Sequence, residues 1–396
     1  MTKQIRLNAF AMNTVGHLSP GLWRHPRDQA TRHTDIHYWI ELAQTLERGC
    51  IDGLFLADVL GVYDVYGGNA DEALRSGAQV PLNDPLQLVP AMAAATRHLG
   101  FGVTASVSFE HPFPFARRMS TLDHLTQGRA GWNIVTSYLS SGARNLGQPE
   151  QLSHDQRYAL AEEYLQVCYK LWETSWEEDA VRADRTSGVY TDPSRVHGIE
   201  HDGTYFKVPG FHLSAPSPQR TPVLYQAGAS SRGRAFAAAN AECVFVAAPS
   251  KTVLKKQVSD LRAAAVAAGR KGSDILILEQ LTVIVAETDE AAQARLREYR
   301  EYASASGSLS LMSGWTVADQ LQAWVEDTDV DGFNLSSVVV PETFVAVVDL
   351  LVPELQARGL FKREYAEGSL RNKLFGQGDR LRAPHPVAAL RQERGR

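Results

Sequence analysis

Three stretches of the 396-residue chain carry residue types that could do chemistry together. The first is Gln226-Ala227-Gly228-Ala229-Ser230-Ser231-Arg232-Gly233. Its small residues let backbone amides approach a ligand, and a helix opening directly after it would favour an anion through its unsatisfied N–H groups and dipole. With the hydroxyls of Ser230 and Ser231 and the cation of Arg232, the stretch reads as a phosphate cradle. A glycine-and-serine turn that only caps the helix would be written in the same letters, and both readings stand. The second stretch is His154-Asp155-Gln156-Arg157-Tyr158, which also opens a helix. His154 and Tyr158 are four residues apart, so both can face one ligand, or form an ordinary surface pair; Asp155 reads best as the N-cap. The third is His17, a lone histidine behind Val15-Gly16. Its ordinary pKa of about 6.5 would suit a proton shuttle.

Other chemistries lose ground on spacing. No HxH, HExxH or close carboxylate group suggests a metal site, and neither a GxSxG elbow nor a Walker loop is present. The formal net charge of −5, with scattered basic residues, argues against a nucleic-acid partner. Cys50, Cys168 and Cys243 show no CxxC or zinc spacing and read as buried free thiols in a reducing cytoplasm. No apolar run approaches the roughly 18 residues of a membrane span. The opening Met1-Thr2-Lys3-Gln4-Ile5-Arg6 leaves no room for a secretory signal. A soluble, cytoplasmic, large-cored protein is expected.

The elements that must position these residues alternate between short β-rich runs and helical patterns, which favours parallel βα units. Strands are expected over 5–11, 53–57, 101–106, 130–135, 222–227, 243–247, 275–286 and 331–335. Helices are expected over 35–48, 155–172, 231–239, 251–268 and 289–302. Eight strands interleaved with helices point to a single α/β domain over 1–396, a (β/α)₈ TIM barrel with insertions, in preference to an open doubly wound sheet. Two segments break the rhythm. Residues 174–210 read as an insertion before strand five with a hairpin near 199–208, and 363–396 as a tail along the outside or at a subunit contact.

In such a barrel the functional groups sit at the C-terminal ends of the strands and in the loops that follow. That rule selects Asn13, Thr14 and His17 after strand one, and Asp58, Tyr63 and Gln79 after strand two. It also selects Thr104 and Ser106 on strand three, and Asn133 through Tyr138, including Thr136 and Ser137, on and after strand four.

Several stretches together carry a family resemblance: Gly21-Leu22-Trp23-Arg24-His25-Pro26, Phe55-Leu56-Ala57-Asp58-Val59, Arg118-Met119-Ser120-Thr121-Leu122-Asp123-His124-Leu125, Gly131-Trp132-Asn133-Ile134-Val135-Thr136-Ser137, Pro216-Ser217-Pro218-Gln219-Arg220-Thr221-Pro222 and Asp331-Gly332-Phe333-Asn334-Leu335. On them the chain resembles the bacterial-luciferase-like FMN-dependent monooxygenases. It is most similar to the branch of nitrilotriacetate, dibenzothiophene sulfone and long-chain alkane monooxygenases, above all the last. The resemblance implies a homodimer or homotetramer that takes FMN as FMNH₂ from a separate NAD(P)H:FMN oxidoreductase and uses O₂ to oxygenate an apolar organic substrate. Long-chain alkane is the leading substrate, with sulfone, other organosulfur or amine substrates as alternatives. A flavin-binding protein without turnover, or one using a deazaflavin, is a further alternative.

Carried over by position, Asp58 would lie beside the isoalloxazine and Thr104, Thr136 and Ser137 would line the flavin site. His154, Tyr158, Gly228, Ala229 and Ser230 would hold the ribityl phosphate. His17, Tyr63, Gln79 and Tyr138 would form the oxygenation pocket. The chain departs from the alkane-monooxygenase pattern at Thr14, Tyr138 and Leu311, and lacks a family segment between Trp315 and Thr316.

Overall fold

Strands covered on both faces should be largely apolar, as the runs Gly53–Ala57 and Cys243–Val246 are. In a computed structural model, which describes residues 4–64, 66–227, 230–311 and 328–394, eight parallel strands close into a barrel. They are β1 (Arg6–Met12), β2 (Gly53–Ala57), β3 (Gly100–Ser106), β4 (Ala130–Val135), β5 (Val223–Ala227), β6 (Cys243–Val246), β7 (Leu276–Thr282) and β8 (Gly332–Ser336). Each strand pairs with its neighbours in chain order, and β8 returns to β1 with Asn334 opposite Asn8. The open sheet is thereby excluded. The seventh strand ends at Thr282, short of the expected 286. The apolar residues beyond it, Val283, Ile284 and Val285, pack against core clusters without extending the ladder. A long apolar run therefore overstated the strand.

Charged residues directly before the even strands satisfy backbone groups at the base. Asp52 accepts from the Leu7 amide (2.8 Å), Glu242 from Leu224 (3.0 Å) and Asp331 from Ile277 (2.6 Å). Arg129, before β4, instead donates to the carbonyls of Ala93 (2.9 Å) and Leu99 (3.0 Å). Buried main-chain groups need such partners, so these four positions tie the base of the barrel together.

Inside the barrel Phe10, Phe55, Tyr225, Phe245 and Leu278 form one apolar plug. Gly131 makes room for it, since a Cβ there would stand 2.5 Å from the Tyr225 ring. The C-terminal segment does not merely lie along the outside. Leu370 and Leu374 join the plug, and the buried Arg371 between them donates to Glu242 through Nε (2.7 Å) and Nη2 (2.9 Å). Charged letters in this tail suggested surface, but Arg371 among them is buried in an ion pair with Glu242.

Outside the barrel, helices α1 (Ile36–Arg48), α2 (Pro112–Leu125), α3 (His154–Tyr169), α4 (Ser231–Asn240), α5 (Lys251–Ala267) and α6 (Asp289–Tyr302) cover the sheet. Between α3 and β5 the chain makes two antiparallel hairpins, His201–Asp202 with Lys207–Val208 and the additional Val181–Asp184 with Val189–Thr191. Cys168 and Cys243 are buried, whereas Cys50 is only partly so. No helix among the described residues is long and apolar enough to cross a membrane.

Candidate active site at the barrel mouth

The loop after β1 is laid against residues 78–83 by short-range pairing. Gln79 N donates to the Gly16 carbonyl (2.8 Å), Asn83 N to Asn13 (3.0 Å), and Thr14 Oγ1 to the Pro81 carbonyl (2.7 Å). Gln79 itself has φ of 55°, a left-handed conformation uncommon for a non-glycine residue. That conformation presents its amide to two groups at once. Nε2 donates to the His17 carbonyl (3.0 Å) and Oε1 accepts from the Tyr63 hydroxyl (3.3 Å). The Tyr63 hydroxyl stands 2.5 Å from that of Tyr138. Residues 16 to 75 positions apart are thus joined: the His17 carbonyl, Gln79, Tyr63 and Tyr138 make one continuous chain of contacts.

His17 packs edge-on to Phe10, ring centroids 4.5 Å apart, and burial pushes its imidazole down to about 3. It is therefore neutral at physiological pH. The expected shuttle based on an ordinary histidine pKa is corrected: desolvation penalises the imidazolium. Tyr63 is likewise pushed up, first by burial and then by Tyr138.

A second group is polar. Thr104 Oγ1 accepts from Asn133 Nδ2 (3.0 Å), and both side chains face the barrel axis. Ser106 and Ser137 hydroxyls meet at 2.7 Å, and the Thr136 carbonyl accepts from Ser108 (2.8 Å). Ser137 has φ of 55°, which turns the chain at the end of β4. Asp58, after β2, is pushed up to about 6 by burial and by neighbouring Asp84. Asn133 Oδ1, Asn334 Oδ1 and Ser336 Oγ are buried without a partner. Orphaned buried acceptors cost free energy unless a ligand or water meets them, and a ligand bearing N–H and hydroxyl donors fits this wall. Asn334 and Ser336 escaped the sequence reading, which stopped at β5; the inward alternation of β8 would have found them.

A third group lies where α3 and α4 begin. His154 Nε2 is 3.1 Å from Ser230 Oγ, and the His154 and Tyr158 rings are 5.1 Å apart. Ser230 also accepts from the Gly233 amide (3.0 Å), so it caps the helix while its hydroxyl meets His154. Two expectations need correction. Asp155 is not the cap, because Ser153 and Gln156 form a capping box and Asp155 pairs with His154 Nδ1 (2.9 Å). Arg232 is turned to Glu162 (2.8 Å) and does not supply its charge to the cradle alone. Gly228 and Ala229 lie outside the described residues, as does the junction of Trp315 and Thr316. Leu311 ends a helix (Ala305–Leu311) that packs on the helix Asp71–Ser76, with Ser306 Oγ donating to Glu72 (2.6 Å).

A closed parallel barrel with a polar wall, an aromatic wall and two helix N-termini at its mouth defines an enzyme of the luciferase-like class. The family profile of luciferase-like monooxygenases matches residues 15–329, and the chain belongs to that family. It is a monooxygenase. Long-chain alkane monooxygenase of Geobacillus thermodenitrificans (strain NG80-2) is 49% identical over 434 residues, covering 99% of each chain. The crystal structure of a long-chain alkane monooxygenase superposes with a TM-score of 0.95 at 48% identity, covering 99% of this chain and 100% of that one. Dimethyl-sulfide monooxygenase of Hyphomicrobium sulfonivorans is 47% identical over 453 residues, covering 99% of this chain and 94% of the relative. A riboflavin lyase structure with modified FMN and riboflavin has a TM-score of 0.91 at 32% identity, covering 98% and 100%.

Proposed function

We propose that the chain is the oxygenase component of a two-component system, taking FMNH₂ from a separate NAD(P)H:FMN oxidoreductase and working as a homo-oligomer. It would place one atom of O₂ into a neutral, apolar organic molecule, an alkane or an organic sulfide, while the other atom leaves as water and the flavin gives up two electrons. Reduced flavin supplies the oxygen-activating chemistry when bound, and the protein supplies position and shelter from water.

In this reading Thr104, Asn133, Thr136 and Ser137 face the flavin ring, and Asp58, a carboxyl pushed up to about 6, lies beside it. His154, Tyr158 and Ser230, with Gly228 and Ala229, hold its phosphate at the N-terminus of α4. Neutral His17 serves as a hydrogen-bonding group beside the reacting atoms, backed by Gln79, Tyr63 and Tyr138. The sulfide reading stands beside the alkane reading because the dimethyl-sulfide enzyme is nearly as similar as the alkane enzyme.

The observation that carries the substrate class is the wall of Gln79, Tyr63 and Tyr138, whose polar groups meet one another and the His17 carbonyl. Arg144, six residues after Tyr138, is also engaged, by Asp64. An aminocarboxylate would find its charge unmet. The test is to mix the protein with photoreduced FMN, ¹⁸O₂ and a panel of n-alkanes, dialkyl sulfides, sulfones and aminocarboxylates. Label in an alcohol or sulfoxide supports the reading. Label only in hydrogen peroxide, or turnover only with a deazaflavin, overturns it.

A further inference from the structure

The loop after β1 and the turn at 76–79 approach each other backbone to backbone. A Cβ on Gly16 would stand 2.4 Å from the Gly77 carbonyl oxygen, and Gly16 pairs with Ala78. Two residues of the turn are left-handed, Gly77 with φ of 69° and Gln79 with φ of 55°. Glycine takes that conformation freely, whereas glutamine does so only where its surroundings hold it there. Gln79 supplies part of that hold itself: its amide donates to the Gly16 carbonyl (2.8 Å) and its Nε2 to that of His17 (3.0 Å).

The other end of the turn is held from the 21–26 stretch. Trp23 Nε1 donates to the Ser76 carbonyl (3.1 Å), and a Cβ on Gly77 would lie 3.5 Å from the same nitrogen. Trp23 is 37% exposed, so it serves the core only in part, and its one polar atom is spent on this carbonyl. Its neighbours fix it in turn. Gly21, with φ of 88°, lies so close to the end of α6 that a Cβ would stand 2.5 Å from the Tyr302 carbonyl oxygen. Arg24 Nη2 donates to that carbonyl (2.7 Å), and Ser304 N to the Pro20 carbonyl (2.9 Å). Ser76 is also backed by Gly307, where a Cβ would stand 2.8 Å from the Ser76 Cβ.

We propose that Trp23 is a positioning residue of the oxygenase: through the Ser76 carbonyl it keeps the 76–79 turn in the conformation that presents Gln79 to the His17 carbonyl and to Tyr63. The inference deepens the reading of His17, Gln79 and Tyr63 as the reacting pocket, and rests on it. Without the indole N–H the Ser76 carbonyl is released, and Gln79 can relax towards a backbone conformation that glutamine favours. The contacts to the His17 carbonyl and the Tyr63 hydroxyl are then lost together, because one side chain carries both.

Hydrogen–deuterium exchange of the full chain, as wild type and Trp23→Phe, reads the turn without flavin or substrate. Phenylalanine keeps a ring and loses the N–H. Exchange in 77–82 should quicken about tenfold, the size expected for one lost hydrogen bond, while α6 keeps its wild-type protection. Trp23→His, which restores a ring N–H, should recover part of the difference. A second arm measures product formed per FMNH₂ oxidised, with n-hexadecane and with dimethyl sulfide, in Trp23→Phe, Gln79→Ala and the double variant. Trp23→Phe should lower this yield about threefold or more with little change in melting temperature, and should add nothing once Gln79 is alanine. Unchanged exchange in 77–82, or an equal loss of yield with and without Gln79, would overturn the proposal. Faster exchange upholds the hold of Trp23 on the turn even where neither probe is oxygenated or Gln79→Ala keeps full yield; those two outcomes sink the pocket reading instead.

Discussion

His154 Nε2 and Ser230 Oγ stand 3.1 Å apart, although 76 residues separate them in the chain. Each belongs to the start of a different helix, so the contact brings two helix N-termini to one place. Ser230 caps α4 at the same time, which makes stability and ligand binding separable by the choice of substitution. Ser230→Asp keeps a capping oxygen but sets a carboxylate where a phosphate would lie. FMN affinity should fall at least tenfold (about 1.4 kcal/mol), riboflavin affinity should change little, and the melting temperature should hold. Equal losses for both flavins, measured by equilibrium dialysis, would remove the phosphate from this site.

Burial holds His17 near 3, so it has no protonation step between pH 5 and 8. The pH profile of product formation should therefore lack a limb that disappears in His17→Gln. That variant should still lower the yield of oxygenated product per FMNH₂ oxidised, because the side chain next to Phe10 is changed. A His17-dependent limb near pH 6.5 would contradict the neutral assignment.

Asp58 binds its proton more tightly in the folded chain than the ordinary carboxyl value of 3.8, at about 6. The folded state thus holds more protons than the unfolded one between these values, and stability falls as pH rises through that window. Its contribution is fully present below 3.8 and lost above about 6. Asp58→Asn should flatten this part of the curve and make the protein relatively more stable at pH 7 than wild type. Urea midpoints at pH 4 and pH 7 check it; a variant that loses stability at pH 7 would refute it.

Arg371 and Glu242 form a buried pair at the barrel base, far from the chemistry. Arg371→Met leaves Glu242 buried with only the Leu224 amide, and should cost about 3–5 kcal/mol. Chemical denaturation should show this loss. A loss below about 1 kcal/mol would mean the base does not depend on the C-terminal plug.

The barrel was legible because its physics is local. Runs such as Gly53–Ala57 and Cys243–Val246 are apolar throughout, since both faces are covered, and their rhythm with amphipathic helices such as Ile36–Arg48 announces parallel crossovers. The loops after those strands follow by rule, so His17, Asp58, Tyr63, Gln79, Thr104 and Tyr138 could be named before any coordinates. Asp155 misled because one letter does not say which of two neighbouring polar residues completes a cap. The tail from 363 misled because charge suggests solvent unless its partner, here Glu242, is known.

The amino-acid sequence by itself determined the strand count, the parallel order and the family, because burial pattern and motif are properties of the linear chain. Only the tertiary structure decided that His17 is neutral and that Gln79 can donate in one direction alone. It alone closed Tyr63 onto Tyr138 across the mouth. Those properties depend on desolvation and on hydrogen bonds between residues up to 75 positions apart, and neither quantity exists until the barrel has closed.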